Sequence, residues 1–334
     1  MTVRKINVLA YDGCMGMEVF GFCDTLLLAN RVAAAIRGEV AEPLFDVRIT
    51  SVAGGAVLAA GGVAIDTRKL RASRDLLVIP GMDIGDRHGC TRPHEKLAAE
   101  VKTIARAFAR GAPVASMCVG AFLLAEAGLL DGRRATTAWM FADDLARRFP
   151  LARVDASAMV VADGGVTTTG SFTATFDLAM QLIRETAAPK EARAVARMAL
   201  LSPRGSQAAY IDTSMAARPS GRFSDNVHSW LGERLAEPYD LTALAAAFHV
   251  SARTMLRRLK AETGQTPLEY LQGERINTAK RLLEAGSLSV AQITERVGYL
   301  DVATFSTLFK RLTGQSPAQY RRSFNVRATT KTGA

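Results

Sequence analysis

The chain has 334 residues, 42 Lys and Arg against 32 Asp and Glu, a formal net charge of +10, and four cysteines. That length exceeds what a single hydrophobic core usually supports, so two domains are expected. No uncharged apolar run of about 18 residues occurs, and Arg4 and Lys5 lead into a short strand pattern instead of a signal core, which speaks against a membrane partner and for a cytoplasmic protein.

The cysteines, Cys14, Cys23, Cys90 and Cys118, lack metal-ligand spacing and are too few for a disulfide scaffold. Neither a metal nor a cofactor is expected. Charge is unevenly placed: residues 1–200 hold 24 Lys and Arg against 21 Asp and Glu, residues 201–334 hold 18 against 11. A net +3 in the longer part and +7 in the shorter one directs a polyanion partner to the C-terminal part, because each Lys or Arg set on a phosphate releases condensed counterions.

From Ile6 to about Ala188, β-branched runs alternate with helical patterns. This is how a mostly parallel sheet sandwiched by helices is written, and it predicts a flavodoxin-like α/β domain over residues 1–200. Strands are expected at Ile6–Tyr11, Phe45–Val52, Leu76–Ile79, Pro113–Met117 and Val166–Thr169. Helices are expected at Gly16–Ile36, His94–Arg110, Val119–Ala127, Met140–Phe149 and Thr173–Thr186, from apolar residues at three- and four-residue spacing.

One junction carries chemistry. An apolar strand ends at Met117, Cys118 occupies a sharp turn, and Gly120 lets a helix begin directly behind it, in the manner of a nucleophile elbow. A thiol at a helix N-terminus sits where amides and dipole favour thiolate and an anionic ligand group. Cys118 and Val119, Gly81 and Met82 after another strand, and Glu18 from the first helix form the expected effector pocket. No catalytic residue is assigned: a nucleophile needs a base, His228 and His249 fall in the C-terminal part, and only His88 and His94 are near in sequence. The thiol reads equally as an inert buried group and as a ligand-sensing one.

Ser/Gly/Pro-rich clusters mark residues 201–224 as a linker, within which Gln207–Ile211 reads either as an added strand or as a segment packed on one of the two domains. The C-terminal domain, 225–325, is expected to be all α, followed by a disordered tail over 326–334. It contains one pattern twice: Lys260, Thr263, Gly264, Gln265, Pro267 and Tyr270 recur fifty positions on as Lys310, Thr313, Gly314, Gln315, Pro317 and Tyr320. Each copy outlines a helix-turn-helix unit, and Pro267–Ala285 is expected to join them as one core helix. Double-stranded DNA is the expected partner. With Met255 and Leu259 facing the core, Arg253, Leu256, Arg257, Arg258 and Lys260 are predicted to face DNA from the first unit. Ala303, Thr304, Ser306, Thr307, Lys310 and Arg311 are predicted to do so from the second. The first unit thus carries the bidentate guanidinium donors, whereas the second offers methyl and hydroxyl contacts until Lys310. Arg275, Lys280 and Arg281 read as phosphate contacts or as solvated charges. Tyr299, Phe305, Phe309 and Tyr320 read as core aromatics.

Pro80-Gly81, Ser116-Met117-Cys118-Val119-Gly120 and the stretch Leu124–Trp139 resemble the PfpI-type, class I glutamine-amidotransferase-like fold, and residues 225–324 resemble the AraC/XylS-type DNA-binding domain. The order of the two is similar to that of GlxA-like transcriptional regulators. This resemblance implies a non-catalytic sensor of a small, amino-acid-like or nitrogenous metabolite that controls a DNA-binding module, and it is compatible with a homodimer. In hydrolytic relatives a histidine precedes the tryptophan that follows the Thr-Thr pair; here that residue is Ala138. A cysteine-dependent hydrolase or glyoxalase-like enzyme with an attached DNA-binding domain is the alternative, with Glu18 as proton partner. A purely architectural DNA-binding protein leaves the α/β domain without a use.

Overall fold

A computed structural model describes residues 3–38, 42–83, 96–212 and 223–324. The chain divides into two units, Met1–Gln207 and Ala208–Ala334. In the first, β1 (Arg4–Leu9) pairs in parallel with β2 (Phe45–Ser51) and β5 (Leu76–Ile79), β5 with β6 (Val114–Ser116), and β6 with β10 (Val166–Thr169). Beside β2 runs β4 (Ala64–Lys69), also parallel, and β3 (Gly55–Leu58) and β9 (Val160–Asp163) close the two edges antiparallel. The strand order is β3-β4-β2-β1-β5-β6-β10-β9. A two-residue pair, β7 (Arg134–Ala135) with β8 (Arg153–Val154), stands apart from this sheet.

The central strands are buried on both faces, which is why they read as continuous apolar runs without alternation. α1 (Gly16–Arg37) packs against α5 (Ala174–Thr186) and α6 (Pro189–Met198), while α2 (Ala98–Ala109) packs against α3 (Ala121–Glu126). By length and composition α1 could cross a bilayer, but Val19, Phe22, Leu26 and Ala29 on it are core residues of this unit. α4 (Ala142–Arg148) completes the set.

The expected α/β class and order are found, with ends moved by a few residues and six additions among the described residues. β7 and β8 are two residues each, β3 and β9 are only four residues long, β4 alternates apolar with charged positions, and α6 buries only Ala192 and Val195 beside Glu191, so none of them carries a long apolar run. Glu191 receives two hydrogen bonds of 2.7 Å from Arg37 at the end of α1 and one of 2.9 Å from the Ala188 amide. That charge is buried but fully paired, the condition under which burial is tolerated. The helix expected from His94 starts at Ala98, its first two residues lying outside the described ones; the helix expected from Val119 starts at Ala121, after a 3₁₀ turn, Cys118–Gly120.

The stretch read as a linker is packed as far as it is described, to Asp212. Gln207 is buried in the first unit, and a 3₁₀ turn, Ala208–Tyr210, is packed in the second. The 326–334 tail lies outside the described residues.

The second unit is helical: α7 (Phe223–Glu233), α8 (Leu241–Ala247), α9 (Ala252–Thr263), α10 (Pro267–Ala285), α11 (Val290–Arg296), α12 (Val302–Thr313) and α13 (Pro317–Phe324). It has two cores. Val227, Leu244, Met255 and Leu259 meet Tyr270 and Leu271 of α10 in one; Ile293, Phe305, Phe309 and Tyr320 meet Ile276, Ala279 and Leu283 of α10 in the other. Side-chain caps fix the helix starts: Asp240, Ser251, Thr266, Ser289 and Asp301 each accept a backbone amide. Thr266 with Glu269 forms a reciprocal capping box ahead of Pro267. The two copies end alike, on Gly264 and Gly314 in the left-handed region.

Arg275 and Lys280 correct the sequence reading: neither is solvated nor free for phosphate. Arg275 is buried and donates to the carbonyls of Leu235 (2.8 Å) and Glu237 (2.5 Å), its guanidinium over the Tyr299 ring. Lys280 is buried and donates to the carbonyls of Ala208 (3.0 Å) and Ile211 (2.7 Å), and burial holds its ammonium down at about 8. Both lie on the buried side of α10, which a charge-based reading overlooks because the cations are satisfied by main-chain oxygens, not carboxylates.

Candidate functional site

The elbow is built by close backbone approach. Cys118 has φ 49°, a left-handed conformation unusual for a residue with a side chain and one that concentrates at functional turns. A Cβ on Gly120 would lie 2.7 Å from the Pro80 carbonyl oxygen and 2.9 Å from that of Ile79. Only glycine lets the turn seat against the end of β5, as the sequence spacing suggested.

Glu18 enters from the first turn of α1 and is fully buried. The Gly81 amide donates to its Oε2 at 2.6 Å, while Oε1 is buried with no hydrogen-bond partner. The carboxyl also hydrogen-bonds the Cys118 thiol, and burial lifts it to about 7. The Gly81 amide is therefore used by Glu18 and does not face an open crevice as expected. The Gly81–Met82 segment is strapped to the loop before α1: Met15 donates to the Gly81 carbonyl at 2.9 Å, and Cys14 bridges Met82. Tyr11 donates to the Pro80 carbonyl at 2.6 Å.

Of the two readings of the Cys118 thiol, its surroundings favour the neutral one. Burial, and after it the Glu18 charge, push the Cys118 thiol far above its ordinary value, against the opposing amides of Val119 and Phe172. Desolvation outweighs the helix dipole here, because the residues behind the thiol form a 3₁₀ turn and a six-residue helix, both largely buried. Val119, expected in the pocket, is instead a core residue. Of the five expected pocket residues, Cys118 and Met82 keep partial exposure, and Glu18 and Gly81 lie directly behind them. Both histidines of this unit, His88 and His94, lie outside the described residues, and Ala138 is buried.

Two neighbours of the elbow were not anticipated. Thr137 donates to the Cys118 carbonyl at 2.9 Å. Gln207, 2% exposed, donates to the carbonyls of Thr137 (2.9 Å) and Ala158 (3.1 Å) and accepts from the Ser171 amide (3.1 Å). Ser171 precedes Phe172, whose amide reaches the thiol. The signal in the sequence was the reading of Gln207–Ile211 as a strand or a packed segment, which does not say where the segment packs.

In the second unit, Met255 and Leu259 are fully buried, and Arg253, Arg257 and Lys260 are exposed on one side of α9, with Leu256 half-buried beside them. Arg258 is exposed as well, ion-paired with Glu262 at 3.1 Å and lying over the Phe223 ring at 4.0 Å, so it also braces α7. On α12, Ala303, Thr304, Thr307, Lys310 and Arg311 are exposed and Ser306 is half-buried, while Phe305 and Phe309 are fully buried.

These two sites define a class, a DNA-binding transcription regulator in which an α/β sensor-type domain precedes an AraC-type helix-turn-helix pair. The chain belongs to the DJ-1/PfpI family, whose profile matches residues 4–185, and a helix-turn-helix domain profile matches residues 244–323. It is 29% identical over 332 residues to the HTH-type transcriptional regulator GlxA of Rhizobium meliloti (strain 1021), covering 96% of each chain. To the HTH-type transcriptional regulator CdhR of Pseudomonas aeruginosa it is 27% identical over 327 residues, covering 95% of this chain and 92% of that one. Over 94 residues it is 39% identical to the HTH-type transcriptional activator RhaS of Escherichia coli, which is 28% of this chain and 34% of that one.

The raised Glu18 carboxyl makes a signed prediction. The folded state holds this proton up to about pH 7 whereas an unfolded chain releases it near 4.5, so the associated stability is present below 4.5 and is lost as pH rises to 7. Relative to Glu18→Gln, the wild-type chain is expected to lose about 3 kcal/mol of unfolding free energy across that window. Urea titrations of both proteins at several pH values check this; parallel curves contradict it.

Proposed function

We propose that this chain is a sequence-specific transcription regulator whose α/β unit binds a small amino-acid-like or nitrogenous metabolite at the elbow and does not catalyse. The observation that carries the DNA half is the exposed row Arg253, Arg257 and Lys260 on the capped helix α9, repeated as a second helix-turn-helix on the same α10. Guanidiniums so placed can take guanine O6 and N7 in the major groove, and Lys310 and Arg311 can take phosphate. The sensing half is supported by the thiol and carboxyl at the elbow: both are held in their neutral forms by burial near neutral or lower pH, which suits recognition and opposes nucleophilic attack. A homodimer, paired through the α/β unit, doubles the DNA contacted, and the regulator acts in the cytoplasm.

The route from effector to DNA runs along the chain itself. Gln207 ends the first unit two residues' contact from Cys118, and the next residues, Ala208–Ile211, supply Ala209 to the core that holds α12 and two carbonyls to Lys280 of α10. A ligand that shifts Ser171, Phe172 or Thr137 therefore changes the footing of a segment built into the second helix-turn-helix. Such coupling typically amounts to about 1–3 kcal/mol.

Two outcomes follow. Selection from a random duplex pool with the full chain is expected to yield a defined site, on which Arg253→Ala costs about 1–3 kcal/mol of preference at one base pair; a uniform loss across all sequences makes Arg253 a phosphate contact instead. In a thermal-shift screen of amino-acid-like and nitrogenous metabolites, a compound that stabilises the wild-type chain should also change its affinity for that site. Gln207→Met is expected to keep the thermal shift and lose the change in affinity, and a retained change contradicts the route.

A further inference from the structure

The two helix-turn-helix units are not equal in length. Their first helices, α8 and α11, start 49 positions apart, at Leu241 and Val290, whereas their second helices, α9 and α12, start 50 apart, at Ala252 and Val302. The turns align at the left-handed residues His249 and Gly298. After these, Val250 donates to the Ala245 carbonyl (3.1 Å) as Tyr299 does to that of Thr294 (3.0 Å), and both side chains pack on their cores. Ser251 and Asp301 then cap the second helices. The residue with no counterpart is Leu300.

Leu300 is 107% exposed, the most exposed large apolar side chain among the described residues, and Val302 near it is 41% exposed. Ala303 follows, also exposed. A scattered surface leucine needs no explanation, but this one stands immediately before the capping residue of a recognition helix, the end that enters the major groove. In the first unit the matching tip carries Ser251, Ala252 and Arg253. In the second it carries Asp301, whose carboxylate is turned to the Thr304 amide, then Val302 and Ala303, with Leu300 in front and the first cations, Lys310 and Arg311, in the last turn. The only apolar group that base edges present in the major groove is the C5-methyl of thymine.

We infer that Leu300 and Val302 are specificity-determining residues that read thymine methyl groups under the second helix-turn-helix unit. The inference rests on the DNA-binding reading above. It divides the labour between the units: donors on α9 select guanine, and the apolar tip of α12 selects thymine by contact that uracil cannot provide.

The test uses the full chain and the duplex it selects from a random pool. Replacing thymines beneath the second unit by uracil removes the C5-methyl and nothing else. At one or two positions this is expected to weaken wild-type binding about fourfold each, the factor one buried methyl group carries. Leu300→Ser should bind the thymine duplex more weakly by a similar factor, lose its sensitivity to uracil, and melt at the wild-type temperature; Val302→Thr, equal in size, should show a smaller loss of the same kind. Uracil substitution without effect, a selected site lacking thymine there, or equal uracil sensitivity in wild type and Leu300→Ser overturns the inference. So does a Leu300→Ser chain that binds as before but no longer regulates transcription in vitro, which would assign the leucine to a protein partner. A full chain that selects no sequence at all removes the DNA-binding reading itself, and this inference with it.

Discussion

Helix α10 is the constraint on which the second unit depends. Its 19 residues, about 28 Å at 1.5 Å per residue, place Tyr270 and Leu271 in one core and Ile276, Ala279 and Leu283 in the other. Two recognition helices that each grip one end of the same rigid rod cannot slide or turn independently. Burying Arg275 and Lys280 on that rod is costly in desolvation, and the cost is offset by tying α10 to the carbonyls of Leu235 and Glu237 at one point and of Ala208 and Ile211 at another. The cations thus hold the chain segments that enter the unit against the helix that organises it.

The first unit is organised by a different economy, that of close approach. The missing side chain of Gly120 lets the Cys118 turn settle on the end of β5, and the amide of Gly81 is given to Glu18. What results is a part-exposed thiol beside a buried carboxyl, each shifted toward its neutral form by loss of water. Such a pair can discriminate ligands by hydrogen bonding without turning them over, and the Gln207 contacts place the end of this unit within reach of any movement there.

Much of this was legible in the sequence because the relevant signals are strict. The fifty-residue duplication outlines both helix-turn-helix units, the Pro267–Ala285 periodicity gives the helix that joins them to the residue, and the strand–Cys118–Gly120 junction specifies the elbow. What was not legible depends on partners distant in sequence. Whether a cation faces solvent or a carbonyl cannot be read from helical phase alone, so the burial of Arg275 and Lys280 was not legible. The state of the thiol stayed open because a helix N-terminus is visible in a sequence and desolvation is not. The short strands β3, β4 and β9 and the alanine-rich helix α6 lack the long apolar contrast on which periodicity relies. The offset of 49 against 50 was hidden by a repeat whose matching letters all lie after the turn.

The central claim is that one rigid helix sets the spacing of two recognition helices on a single face of the duplex. Hydroxyl-radical footprinting of the full chain on its selected site measures this most directly. Two protected segments about 34 Å apart, one helical turn, with binding lost when about half a turn of DNA is inserted between them, is the result predicted. A single protected segment, or two whose separation follows the insertion without loss of affinity, would contradict the account.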